Sequence, residues 1–150
     1  MRQALLLLTP LLLAGCVQES ASYYADGNDH TLTVRAEQEY FWDKSVNIKL
    51  MAARMPDCQR QFPLASKVPL EDATVELFAA PDNVFTIRVG TQAWQIETNT
   101  CTQLGEPAPT AYGEPVGVFR IGDDKKMVFE KVAPPAAAPA PEPAPAAPGA

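Results

Sequence analysis

The sequence predicts an all-β fold: a small antiparallel sandwich or partly open barrel of seven or eight short strands, with one disulfide and a Pro/Ala-rich C-terminal tail. Three observations predict it. Apolar residues alternate with period 2 through the middle of the chain, turn residues separate the alternating runs at short intervals, and no long amphipathic helical pattern occurs. The chain has 150 residues and a formal net charge of −6. With residues 1–15 and 133–150 set aside, the stretch from about Tyr23 to Val132 holds roughly 110 residues, enough for one modest core.

Each element follows from the pattern. Residues 17–29 (VQESASYYADGND) are polar and carry Gly27, so they read as a tether. Leu32, Val34 and Ala36 then share one face of a strand, with Thr31, Thr33, Arg35 and Glu37 on the other. Tyr40-Phe41-Trp42 reads as strand, which puts Phe41 on one face and Tyr40 with Trp42 on the opposite one, before a turn at Asp43-Lys44-Ser45. Val46, Ile48, Leu50 and Ala52 form the next apolar face. The helix-friendly residues Leu50 to Met55 leave open a strand that runs into a helical turn before Pro56. Ala73, Val75, Leu77 and Ala79 form another face, ended by Pro81-Asp82-Asn83.

Val84 to Thr98 is the clearest unit. Gly90-Thr91 suits a two-residue hairpin loop, which sets Phe85 opposite Ile96 and Ile87 opposite Trp94 on the core face. Thr86 and Gln95 fall on the other face, and a one-residue slip would mix the two. Residues 104–115 hold three Pro and two Gly and read as a loop. Val116–Ile121 and Lys126–Val132 form a last pair, with a four- or five-residue loop between them both acceptable.

The first 16 residues read MRQALLLLTPLLLAGC. Arg2 gives a positive start, and the apolar run Ala4 to Leu13 is about ten residues long, against the ~20 that a spanning helix needs. Leu13-Ala14-Gly15-Cys16 resembles the lipobox of bacterial lipoproteins. The resemblance implies cleavage after Gly15, a diacylglyceryl thioether on Cys16, and acylation of the new amino terminus, for instance with palmitate. Two or more chains give stable anchoring. Val17 and Gln18 follow where an inner-membrane lipoprotein of the enterobacterial kind carries Asp, which resembles the outer-membrane class. The expected location is therefore the outer membrane, facing the periplasm. The expected divisions are a signal peptide at 1–15, lipidated Cys16 and tether at 16–29, a β-domain at 30–132, and the tail at 133–150.

Two cysteines remain, Cys58 and Cys101. Outside the cytoplasm such a pair reads as a disulfide. A redox pair would want Cys-X-X-Cys, and zinc would want three or four ligands, where the chain offers two Cys and one His. The tail holds seven Pro and nine Ala in 18 residues, a composition that favours polyproline II and builds no core. It reads as a disordered tail or as a docking segment, about 56 Å long when fully extended.

Few residues of the chain suit catalysis. His30 reads as an isolated surface histidine, and Ser20, Ser22, Ser45 and Ser66 lack a nucleophile-elbow context. Glu37 with Glu39, Glu71 with Asp72, and Asp123 with Asp124 read as solvated surface. Asp26-Gly27-Asn28-Asp29 has calcium-loop composition without the closing Glu. No phosphate loop, zinc helix or dinucleotide fingerprint occurs. The chain therefore reads as no enzyme, with no cofactor and no metal, and its acidic surface repels nucleic acid.

Binding remains. Tyr40 and Trp42, near Lys44 and Arg35, are the candidate contact residues, either as a stacking surface or as part of a buried strand. The expected role is an accessory or protein-docking subunit of an envelope complex, attached to the membrane through Cys16. The alternatives are a small-ligand or glycan binder, peptidoglycan included, and an inhibitor of a hydrolase. In size, acidity, β pattern and single disulfide the chain resembles periplasmic lysozyme inhibitors.

Overall fold

The computed structural model describes residues 18–132, which form two antiparallel β-sheets. The first is a meander in the order β1-β2-β3-β4, built from β1 (Gln18–Tyr24), β2 (His30–Glu37), β3 (Ser45–Arg54) and β4 (Cys58–Pro69). The second comprises β5 (Thr74–Ala80), β6 (Val84–Val89), β7 (Gln92–Glu97), β8 (Thr102–Gln103), β9 (Glu114–Ile121) and β10 (Met127–Lys131). Its order is β10-β9-β5-β6-β7-β8. Strand β9 thus returns by a long connection to lie beside β5, a Greek-key arrangement.

The alternating residues do what their period demands. Leu32, Val34, Ala36, Val46, Ile48, Leu50 and Ala52 from the first sheet are buried against Val75, Leu77, Ile87, Ile96 and Phe119 from the second. Strand β3 runs unbroken to Arg54, so the helical turn before Pro56 does not form. The β6–β7 register is the expected one, with Phe85 opposite Ile96, Ile87 opposite Trp94, and Gly90 at φ +59°. Ile121 pairs with Met127, which gives the last hairpin the longer of its two candidate loops.

Three strands depart from the expectation. Residues 18–24 are not tether but β1, paired with β2 from Gln18↔Glu37 to Tyr24↔Thr31. Ala21 and Tyr23 pack on the core, and the Tyr23 ring meets those of Phe85 at 6.1 Å and Phe129 at 5.2 Å. The β-domain therefore includes residues 18–24 and does not begin at His30. Strand β4, with Phe62 and Leu64 buried, closes the first sheet despite Pro63 and Pro69, and β8 adds a two-residue edge. Proline is tolerated because β4 is an edge strand with nothing to pair on its outer side.

The loop at 104–113 also does more than connect. It folds over the outer face of the second sheet, where Gln95 Nε2 donates to Ala111 O at 3.0 Å and Tyr112 lies 5.5 Å from the Phe78 ring. Thr86, read from the alternation as outward-facing, is fully buried and accepts from Gln95 Nε2 at 3.1 Å.

The registers sort the strand ends to two poles. At one pole lie the start of β1, the β2–β3 loop, the 3-10 turn Leu70–Asp72 and the β9–β10 loop. Glu19, Phe41, Leu70, Ile121 and Lys125 meet there around a cavity of about 90 Å³. At the other lie the β1–β2 loop, the start of β4 and the turn after β7. There Cys58 and Cys101 form the expected disulfide, with Cα atoms 5.9 Å apart, and join the two sheets. Strands β1 and β10 run side by side in the same direction, so β10 ends at the disulfide pole while β1 begins at the opposite one.

Candidate functional site

The β2–β3 connection, residues 38–44, carries the aromatic run. The structure corrects its reading as a strand. Gln38 is buried, and its amide donates to the carbonyl of Asp43, while Asp43 N donates to Tyr40 O at 3.0 Å. Asp43 Oδ1 accepts from Ser45 N at 3.0 Å and from Ser45 Oγ at 2.8 Å. The serine hydroxyl holds the Asp43 carboxyl below its ordinary range. Leu70 N donates to Lys44 O at 2.9 Å and ties the far side of the loop to the second sheet's lead-in. The loop is closed by its own hydrogen bonds, which fix the course of its backbone.

All three rings point into solvent. Tyr40 is 48%, Phe41 65% and Trp42 67% exposed, so neither the buried Phe41 of an alternating strand nor a buried central strand is found. Tyr40 and Trp42 do share one place. Their rings stack at 5.1 Å and 10°, and Phe41 meets Trp42 at 4.6 Å and 80°. Trp42 thus has one face against Tyr40 and a perpendicular contact with Phe41. The three rings make a packed apolar knob rather than an open slot for a sugar ring. Lys44 is exposed in the same loop. Arg35 is not brought to it: it stays on β2, opposite Ser20 and Lys49, on the outer face of the first sheet.

His30 is not the isolated surface residue the sequence suggests. It is 5% exposed at the start of β2, and its Nε2 lies 2.8 Å from Thr98 Oγ1, which donates to Asn83 O at 2.9 Å. Burial, then the nearby charge of Arg54, lowers its pKa, and Asp26 opposes them weakly. The unfolded chain therefore takes up this proton before the folded one does. Stability present above the ordinary value of 6.5 is lost as pH falls through the depressed folded value. The urea midpoint is expected to drop between pH 7 and pH 5, and a His30→Gln variant to flatten that drop. Parallel pH profiles for the two proteins would assign the loss to other groups.

Two open clefts complete the surface. One, of about 480 Å³, lies between the end of β4 (Ser66, Lys67, Val68) and the β6–β7 turn (Gly90, Thr91). The other, of about 220 Å³, is lined by Trp94, Gln103, Leu104 and Glu106. Among the described residues no three of His, Cys, Asp and Glu gather at metal-binding distance. The β4 edge is blunted by Pro63, by a register shift at Ile48/Lys49 and by Lys67 at φ +54°, all of which oppose strand addition from outside. Cys16 and the tail at 133–150 lie outside the described residues. No family model matches the chain, and no match to it was found among curated proteins or solved structures.

Proposed function

We propose that this chain is a non-enzymatic lipoprotein of the cell envelope, anchored by lipid on Cys16 in the outer membrane and facing the periplasm, that docks on another envelope protein. The observation that carries the reading is the placement of the first and last strands of the β-domain. Gln18 stands at one pole of the sandwich and Lys131 at the other. In a chain held to the membrane at Cys16, Lys131 then lies at the pole that faces away from it. Eight residues of strand at ~3.3 Å each set the two poles about 26 Å apart. That layout suits an adaptor, which needs its attachment to the membrane and its contact with a partner at separate poles.

The test is crosslinking in living cells from a photoreactive residue at Pro141 and, separately, at Trp42, with mass spectrometry of what is caught. A discrete protein captured from Pro141 supports the docking role and places it on the tail. Peptidoglycan alone, or no adduct from either position, removes the docking subunit and turns attention to the clefts beside β4 and β7. A glycan-binding role has weaker support, since the Trp42 ring is already engaged by Tyr40 and Phe41.

A further inference from the structure

We infer that the Tyr40–Phe41–Trp42 knob is a membrane foot: its rings enter the headgroup layer of the bilayer that holds Cys16 and seat the domain directly on the lipid. The inference rests on the lipid-anchored reading above and goes beyond it, because an anchor alone would leave the domain free to swing.

Chain length supplies the first support. Cys16 precedes Gln18 by two residues, so their Cα atoms are at most about 7 Å apart. Gln18 is already in β1, opposite Glu37, and the aromatic loop begins at the next residue, Gln38. Opposed residues of an antiparallel pair lie about 5 Å apart, and Tyr40 is three residues beyond. Glu19 and Phe41 line the same small cavity, which confirms that the β1 start and the knob are neighbours. With residues 18–24 in a strand, little chain remains to hold the domain off the surface. Acyl chains on Cys16 bring the bilayer within reach of the knob.

Residue chemistry supplies the second. Trp and Tyr favour the membrane interface, where a large apolar body and a polar tip are both accommodated. Here the pair is joined by Phe41, and Phe41 and Trp42 are the two most exposed large apolar residues among the described ones. Leaving them in water costs free energy that burial in the headgroup layer would recover. The loop's hydrogen bonds hold its backbone in place beforehand, so less ordering cost offsets the gain.

Charge narrows the lipid. The same pole exposes Lys44, Lys67, Lys125 and Lys126, but also Glu39, Glu71, Asp72, Asp123 and Asp124. No net cationic patch faces the membrane. Insertion of the rings, rather than attraction to anionic headgroups, is the source of the contact, and it should persist on zwitterionic phosphatidylcholine.

The test uses the full chain with its own signal, purified from membranes and reconstituted in phosphatidylcholine vesicles. The chain has two tryptophans, so Trp94→Phe leaves Trp42 as the sole emitter. If that variant fails to fold, the difference between the wild type and Trp42→Phe isolates the same signal. On reconstitution the Trp42 emission is expected to shift to shorter wavelength. It should lose its quenching by aqueous iodide and become quenched by lipids brominated on the acyl chain. Tyr40→Ser with Phe41→Ser should weaken all three changes. Intact mass spectrometry of the same sample reports the lipid on Cys16. A lipidated protein whose Trp42 stays open to iodide removes the foot and leaves the anchor standing. An unmodified mass removes both. Iodide protection that appears without vesicles, as protein concentration rises, assigns the knob to a second copy of the chain instead.

Discussion

Replacing Cys58 and Cys101 together by alanine is expected to destabilise the domain by about 4 kcal/mol, because the bridge closes a long loop in the unfolded chain. The separation is 43 residues. Single domains are stable by roughly 5–15 kcal/mol, so this one change removes a large share of the total. In a domain of this size the midpoint of thermal unfolding should fall by on the order of 15 °C. The position of the bridge adds to the argument from length. On one side of the sandwich β1 and β10 are held together by the Tyr23 and Phe129 rings. On the other, β4 and the turn after β7 meet at the bridge, with a hydrogen bond between Arg54 and Asn99 beside it. Circular dichroism melts of the variant and of the wild type, with and without reductant, check the expectation. A reduced wild type that melts with the oxidised one would show that the two sheets hold together without the bond.

The second large effect is expected at Phe119. It is fully buried on β9, and its ring lies 4.6 Å from that of Phe129 on β10. Its neighbour across β5 is Val75, also fully buried. Phe119→Ala removes most of a ring from a place where two strands and the opposite sheet meet, and should cost about 4 kcal/mol. Gly117, two residues earlier, shows how little slack exists: a Cβ there would collide with the Phe129 ring and the Glu130 carbonyl. Phe119→Leu keeps much of the volume and should recover a good part of the loss. Denaturant unfolding of the two variants separates the outcomes. Equal losses for Ala and Leu would mean that ring shape, rather than filled volume, matters at this site.

The sequence made some parts of this architecture plain and hid others, for physical reasons. The β6–β7 hairpin is legible because Gly90 supplies the positive φ of a tight turn and one register alone keeps Phe85, Ile87 and Ile96 on a common face. Strand β4 is not. Pro63 and Pro69 read as breakers, and the register shift around Ile48 interrupts the alternation beyond Leu64. The weaker signal, Phe62 and Leu64 two apart in a polar run, was sufficient for an edge strand. Strand β1 hides for a similar reason: only Ala21 and Tyr23 of its residues are apolar and inward-facing, which resembles a linker. The buried Thr86 was illegible because its cover comes from a loop remote in sequence. In the candidate site, the density of Tyr40, Phe41 and Trp42 was plain from the residues. Their exposure was not, since three aromatics in a row fit a core strand equally well. The signal was in the brackets around them. Gln38 and Asp43 are residues that close a loop with their own polar groups, and Asp43 does so with Ser45.

The side-by-side course of β1 and β10 has a mechanical consequence. Suppose the chain is held at Cys16 and drawn by its tail. The load enters β1 at Gln18 and leaves β10 at Lys131, along the strand axes. Backbone hydrogen bonds in an antiparallel sheet lie across that direction. Strand β1 would have to slide past β2 with all seven of its residue pairs, Gln18↔Glu37 through Tyr24↔Thr31, strained together, instead of peeling away one pair at a time. The fold is thus arranged to resist being pulled between its two ends in shear, the direction in which a sheet yields last.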